Sequence, residues 1–412
     1  MNLQINRWIT LAVLGFSSGI SYQLPYLLYN YHDAMLTSFG LDNTHLGVLM
    51  SVFGFAAMFL YGPGGMLADR FSHRRLIATS MVVSGSVGFV FAIYPPFWLC
   101  MVIQIIWAFN IALFLYSPTM KATSMLGTSE EQGKLFGWLE GFSGIGGMLV
   151  AFLTMWVFSQ LGARSQDLAT VINIYSVLYV LLGTLCWFLV PDGKVERAET
   201  GTVYNDVKKV LTLPTTWHIA IMIFSIYTVF IILSYTQPYL SSVFGMSTVS
   251  AGYIAILRHQ VFRAFFGPLG GTITDKTSWK SPTKIIIVTS IFTMISLLAL
   301  IVIPPSNSIL LLVIAVLLFC SVMISINRAL YFATVGEVKT SVEISGTVIG
   351  VASIIGFLPD AFLYTLIGYW QDAYPGMVGY QYTFMLGLAV QAIGIIAGCK
   401  LYKEIKKQAI LQ

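Results

Sequence analysis

Polar residues in this chain gather in short clusters, and the runs between them are long and apolar. A run of about twenty apolar residues is what one helix needs to cross the hydrocarbon of a bilayer. The pattern predicts spans at 8–31, 45–66, 76–94, 97–119, 135–159 and 170–190, then at 215–238, 251–271, 284–303, 308–333, 342–366 and 380–402. The longest internal polar stretch, Pro191 to Pro214, falls near the middle of the chain and carries eight charged residues. It reads as a cytoplasmic linker, 191–214, between an N-terminal six-helix bundle at 1–190 and a C-terminal one at 215–412. The expected fold is therefore an all-α membrane protein, with twelve transmembrane helices in two pseudo-symmetric six-helix bundles.

Composition removes the soluble alternatives. Hydrophobic residues make up 57% of the 412 and charged residues only 9%, whereas a soluble domain carries about a quarter. Of the 22 Lys and Arg, only Arg164 falls in the loops of one side, and Arg258, Arg263 and Arg328 lie within spans. All the others fall on the opposite side, which the positive-inside rule makes cytoplasmic, together with both termini. The expected location is the cytoplasmic (inner) membrane, crossed many times. The basic residues are dispersed, so no nucleic-acid partner is expected. Cys100, Cys186, Cys320 and Cys399 all sit in apolar stretches without a C-x-x-C pair, and read as buried, inert thiols. No metal-ligand spacing, cofactor motif or nucleophile–base pair is present in the sequence, so neither a metal, a cofactor nor an enzyme is expected. No small-residue cleavage site follows the first apolar run, which is expected to remain as the first helix.

The two halves resemble each other. Tyr61-Gly-Pro-Gly-Gly-Met-Leu-Ala-Asp69-Arg70 returns half a chain later as Phe266-Gly-Pro-Leu-Gly-Gly-Thr-Ile-Thr-Asp275-Lys276. Gly137, Gly141 and Gly147 likewise return as Gly346, Gly350 and Gly356. The four-residue step from Gly137 to Gly141 predicts a small-residue packing face on the fifth span. Two parallel repeats of six helices are an arrangement used by transporters.

Gly65-Met-Leu-Ala-Asp69-Arg70-Phe-Ser-His-Arg74-Arg75 resembles the loop signature G-x-L-A-D-R-x-x-x-R-R of the major facilitator superfamily. With the spans and the half-chain repeat, the resemblance covers the whole chain. It implies a cytoplasmic gate in which Asp69 accepts hydrogen bonds at the N-terminus of span eleven, near Ser341, with Asp275 as the degenerate second copy. Arg70, Arg74 and Arg75 would meet acidic groups or lipid phosphates. The segment from Asn327-Arg328 to Gly346-Thr-Val-Ile-Gly350 resembles a bacterial branch of the superfamily. A more distant likeness is to the organophosphate:phosphate antiporters, whose arginine pair in spans one and seven is missing. The fourth span lacks the arginine common in proton-driven members, and the fifth lacks the antiporter proline.

Ionisable residues inside a span cost about 2.5–3.5 kcal/mol on insertion scales, and so are functional candidates by default. Here they are Glu140, Arg258, His259, Arg263, Arg328 and Asp360. On an ideal helix His259 and Arg263 share a face. Arg258 with Asp360, and Glu140 with Arg328, lie at matching depths and read equally well as structural pairs. Arg263, lacking a carboxylate at its depth, is the leading candidate for a substrate contact. Tyr22, Tyr26 and Tyr29 form one stripe in span one, where Pro25 can kink the helix. Gln23, Tyr227, Asn327 and Tyr331 supply further groups for stacking or hydrogen bonding. Three arginines against two carboxylates tilt the expected solute toward an anion.

The expected function is secondary active transport of a small polar, anionic organic solute by alternating access. Coupling to protons would run through Glu140, Asp360 or His259, or another ion would take that part. The protein is expected to act as a monomer with membrane lipids around it. The alternatives are multidrug efflux and a non-transporting sensor or scaffold with a transporter fold.

Overall fold

A computed structural model describes residues 7–128, 131–191, 208–262, 264–266, 281–338 and 342–410. Among them every regular element is helical, and the described residues of each of the twelve predicted spans lie mainly on helix. Nine helical stretches of the described residues are long and apolar enough to cross a membrane. The other three spans fall short for visible reasons. The first is broken after Ile20, the third opens on His73-Arg74-Arg75, and the eighth runs into residues that are not all described.

The chain divides into two compact units, Met1–Ala198 with Ser247–Ala264, and Glu199–Met246 with Phe265–Gln412. The opening stretch of span eight thus groups with the first unit, not with its sequence neighbours.

In the first unit span one consists of α1 (Arg7–Ile20) and α2 (Leu28–Phe39), joined by turns. Pro25 explains the break. It has no N–H for the carbonyl of Ser21, one helical turn earlier. The buried Tyr179 hydroxyl takes over, 2.6 Å from the Ser21 oxygen and 2.8 Å from that of Ile20. The Gln104 amide donates to the Pro25 carbonyl at 3.3 Å. Irregular backbone inside a membrane persists only where protein groups satisfy it in this way. Span one also runs farther than its hydropathy suggests. Asn30, His32 and Asp33 interrupt the apolar pattern, yet Asn30 and His32 are buried within the unit.

The unit continues with α3 (Asn43–Arg70), α4 (His73–Phe91), α5 (Phe97–Phe109), α6 (Ser117–Ser124), α7 (Gln132–Gln160) and α8 (Leu168–Leu189). A π-helical turn, Asn110–Tyr116, joins α5 to α6. Helix α1 lies against α7, and α4 against α8. The α1–α7 approach needs glycine, since a Cβ on Gly19 would stand 2.0 Å from the Ser143 carbonyl oxygen. The small-residue face expected at Gly137 and Gly141 is not where α7 packs. A Cβ on either would meet no atom of the described residues within 4 Å. The close approaches fall farther along, at Gly144, Gly146 and Gly147. The four-residue step is a true helical spacing, on a face where neither glycine meets a neighbour among the described residues.

The second unit holds α9 (Pro214–Ser234), α10 (Thr236–Phe244), α12 (Pro282–Val302), α13 (Leu310–Leu330), α14 (Ala333–Glu337), α15 (Val342–Gly356), α16 (Leu363–Ala373) and α17 (Met377–Ile410). The segment assigned to the first unit begins with α11 (Thr248–Ile256) and a π-helical turn, Leu257–Val261. Helix α17 packs on α9 and α12. Span seven bends at Tyr235, ahead of Pro238. A 3₁₀ turn, Leu358–Ala361, containing Pro359 separates α15 from α16. Cys100, Cys186 and Cys320 are buried free thiols as expected, but Cys399 is exposed.

Candidate functional site

The break in span one turns a row of aromatic side chains together. Tyr22 and Tyr26 stand with ring centroids 6.3 Å apart, Tyr26 and Tyr29 5.1 Å apart, and Phe53 of α3 lies 5.1 Å from Tyr26. His259 meets the Tyr29 ring edge-on at 4.9 Å. Beside this wall two buried amides converge on α7. A Cβ on Gly147 would stand 3.0 Å from Gln260 Oε1 and 3.5 Å from Gln23 Nε2. Tyr22, Gln23, Tyr26 and His259 thus share one region of the first unit. Phe53 and Gln260 complete it. Gln260 was legible as part of a polar Arg-His-Gln run within an apolar span; Phe53 carried no signal.

Arg258, His259 and Gln260 all lie in the π turn, and Arg258 is buried. A π turn advances less per residue than an α-helix, so an ideal 100° step does not apply across Leu257–Val261. π turns often mark functional positions. Arg263 itself lies outside the described residues. Glu140 is exposed on α7.

The second unit gathers another set. Tyr227 of α9 donates a 2.8 Å hydrogen bond to Asp360 Oδ2 in the 3₁₀ turn. The Tyr227 ring packs 4.8 Å from Phe357 and 5.5 Å from Phe230, centroid to centroid. Above Phe230 lies Arg328, its Cζ 3.9 Å from the ring centroid. Among the described residues the Arg328 guanidinium makes no hydrogen bond or ion pair, and its Nε is buried. Tyr331 stands 6.3 Å from Phe357. Asn327, in contrast, is fully buried and tied into the bundle. Its Oδ1 accepts from Thr289, and its Nδ2 donates to Ser290 at 3.4 Å. Phe230 is the residue that sequence reasoning missed, although it lies one helical turn beyond Tyr227. The pairings weighed between Arg258 and Asp360, and between Glu140 and Arg328, each draw one member from each unit and stay at the level of proposals.

Of the gate motif, the side chains of Gly65 and Asp69 are outside the described set, as is Asp275 entirely. Arg70 and Arg75 are exposed, and Arg74 lies 5.7 Å over the Trp187 ring. Helix α3 ends at this motif, where the Phe71 N–H donates to the Leu67 carbonyl, and Ser72 opens α4 by accepting from the Arg75 N–H. Among the described residues no three His, Cys, Asp or Glu side chains are placed to hold a metal.

The profile of the Major Facilitator Superfamily matches residues 9–335. The chain belongs to the major facilitator superfamily. Among its relatives, the inner membrane protein YqcE of Escherichia coli (strain K12) is 42% identical over 97% of this chain and 96% of its own. The probable galactarate/D-glucarate transporter GudP of Bacillus subtilis (strain 168) is 24% identical over 65% of each chain. In fold, the chain is similar to a bacterial homologue of the human lysosomal transporter Spinster, crystallised in an inward-facing, unoccupied conformation. That likeness has a TM-score of 0.76 at 13% identity, over 98% of both chains. The protein is a multi-pass membrane protein with the fold of superfamily transporters.

Proposed function

We propose that this protein carries a small organic anion across the cytoplasmic membrane by alternating access, with both termini on the cytoplasmic side. The observation that carries the reading is Arg328. A guanidinium without an ion pair among the described residues, stacked on Phe230 in the last turn of an apolar helix of spanning length, is costly unless an anion visits it. The stacking leaves the edge of the planar fork available to hold a carboxylate through two hydrogen bonds. Arg263 remains a proposed second contact. The sugar-acid cargo in the name of the GudP relative agrees in class. Asp69, in an otherwise basic loop, is proposed as the cytoplasmic gate that the family motif implies.

The test is a thermal-shift screen of the purified protein against D-glucarate, D-galactarate, D-gluconate and the uncharged polyol D-glucitol. An acid is expected to stabilise the wild type and to lose that effect in Arg328→Gln, with the polyol inactive. Equal shifts in wild type and Arg328→Gln would remove Arg328 from the site. Stabilisation by the polyol alone would overturn the anion preference.

A further inference from the structure

We propose that the second unit holds an internal water molecule between α9 and α17, bound by the side chains of Gln391 and Thr228. The site stands apart from Arg328 and does not depend on the anion reading. Gln391 lies near the middle of α17 and is fully buried. Among the described residues neither its Nε2 nor its Oε1 has a hydrogen-bond partner. Thr228 of α9 is 2% exposed, and its Oγ1 has no partner among them either. Buried polar groups are nearly always paired, with protein or with ordered water, because an unmet one forfeits the hydrogen bonds it had outside.

Two close approaches fix the register of α9 against α17. A Cβ on Gly394 would stand 1.9 Å from Ser225 Oγ, and one on Gly387 would stand 2.7 Å from Ile232 Cδ1. Seven residues back along α17 thus match seven forward along α9, and the two helices run antiparallel. Gln391, three residues before Gly394, falls level with Thr228, three residues after Ser225. Helix α12 closes a third side. A Cβ on Gly387 would lie 3.3 Å from Leu297 Cδ1, and one on Gly398 would lie 3.0 Å from Ile287 Cγ1, so Thr293 falls near the same level. Thr293 is fully buried and already donates its hydroxyl to the Thr289 carbonyl at 3.0 Å, which leaves its oxygen as an acceptor.

The chemistry of the surroundings selects water over an ion. Helix α9 carries no Asp, Glu, Lys or Arg, α12 carries Lys284 alone, near its start, and the nearest charged residue of α17 is Lys400. Lys400 is nine residues of helix from Gln391, roughly 13 Å. A neutral set of one amide and hydroxyls suits a neutral ligand. A water molecule can close a ring with a primary amide, accepting from Nε2–H and donating one O–H to Oε1. Its second O–H then serves Thr228 Oγ1. A buried water makes about three hydrogen bonds, and three here meet the three atoms that lack partners. Thr228 stands in sequence between Tyr227, which bonds Asp360, and Phe230, which carries Arg328. The water would therefore tie to α17 the segment of α9 from which both rings project.

The test joins a structure to a double-mutant cycle, both on the full protein. Electron microscopy or crystallography, at a resolution that shows ordered water, is expected to show solvent density within hydrogen-bonding distance of the Gln391 amide and of Thr228 Oγ1. Thermal unfolding in one detergent then compares wild type, Gln391→Met, Thr228→Val and the double variant. Methionine matches glutamine in length and is apolar, so in a dry site it would relieve two unmet groups and raise apparent Tm. With water bound, each single variant is expected to lower apparent Tm, by roughly 1–3 °C. The double variant is expected to lose less than the sum, because the first change already releases the water. Thr228→Ser, which keeps the hydroxyl, is expected to keep the density. Wild-type density without water at this place, a Gln391→Met variant more stable than wild type, or costs that simply add would each overturn the proposal. Should a variant fail to fold, the wild-type density decides alone.

Discussion

Replacing Tyr179 by Phe removes one oxygen from a fully buried ring and tests why span one is broken. The hydroxyl lies 2.8 Å from the Ile20 carbonyl oxygen and 2.6 Å from that of Ser21, the one that Pro25 cannot serve. Without it, at least one buried carbonyl is stranded at membrane depth. An unsatisfied buried group costs about 1–3 kcal/mol, against about 0.5–1.5 for the net loss of an ordinary hydrogen bond. Ring packing is conserved, so little cavity penalty adds to this. The informative experiment is a double-mutant cycle with Pro25→Ala. Alanine restores an N–H that can serve Ser21 along the helix, so Tyr179→Phe is expected to cost less in that background. The coupling should be about 1–2 kcal/mol, which corresponds to a few degrees or less in apparent Tm for a chain of this size. Thermal unfolding of all four proteins in one detergent, at one scan rate, reads it. An equal cost of Tyr179→Phe in both backgrounds would refute the account of the break.

Further outcomes are expected elsewhere. Gly19→Ala should lower folded yield and apparent Tm, because its Cβ would lie 2.0 Å from the Ser143 oxygen; Gly137→Ala and Gly141→Ala should be neutral or stabilising by up to about 1 kcal/mol through helix propensity. A loss at Gly137 or Gly141 as large as at Gly19 would contradict the packing described. The Arg7 guanidinium donates two 3.0 Å hydrogen bonds to Glu131 and holds its carboxyl below the usual carboxylate range. Its contribution is therefore full above the unfolded value of about 4.3 and fades as pH falls through the lower folded value. Arg7→Gln should accordingly reduce apparent Tm at pH 7 and approach wild type as the pH falls below the folded value, whereas a difference that stays constant with pH would reject the pairing. Reporter fusions after Gln412 and within 192–207 should both report cytoplasm, and a periplasmic signal from either would sink the proposed topology.

How much of this was legible in the sequence depends on the range of the interaction. Hydropathy placed each span, because membrane thickness sets a length that composition must meet. Pro25 announced the break in span one, since the missing N–H is a local property. What answers that break was hidden, because Tyr179 and Gln104 come from other helices. The π turn at Leu257–Val261 was equally invisible. One extra residue per turn leaves an apolar pattern intact, yet it undoes any face assigned at 100° per residue. Gly137 and Gly141 had the right spacing and the wrong surroundings. Arg328 was singled out as one intramembrane charge among several, and its aromatic seat on Phe230 needed the fold. Asp360 was matched by depth with Arg258, but depth carries no information on the Tyr227 hydrogen bond. Pro359, one residue earlier, did hold a local hint of the turn that Asp360 occupies.

The most direct test of the central claim is solute-driven current from proteoliposomes on a solid support, with D-glucarate, D-galactarate and D-gluconate applied in turn at fixed pH. The account expects a transient current with at least one of these acids, saturating with concentration, absent with D-glucitol, and lost in Arg328→Gln while that variant still inserts and runs as a single peak. A current that persists unchanged in Arg328→Gln, or one evoked by the uncharged polyol and by none of the acids, would contradict it.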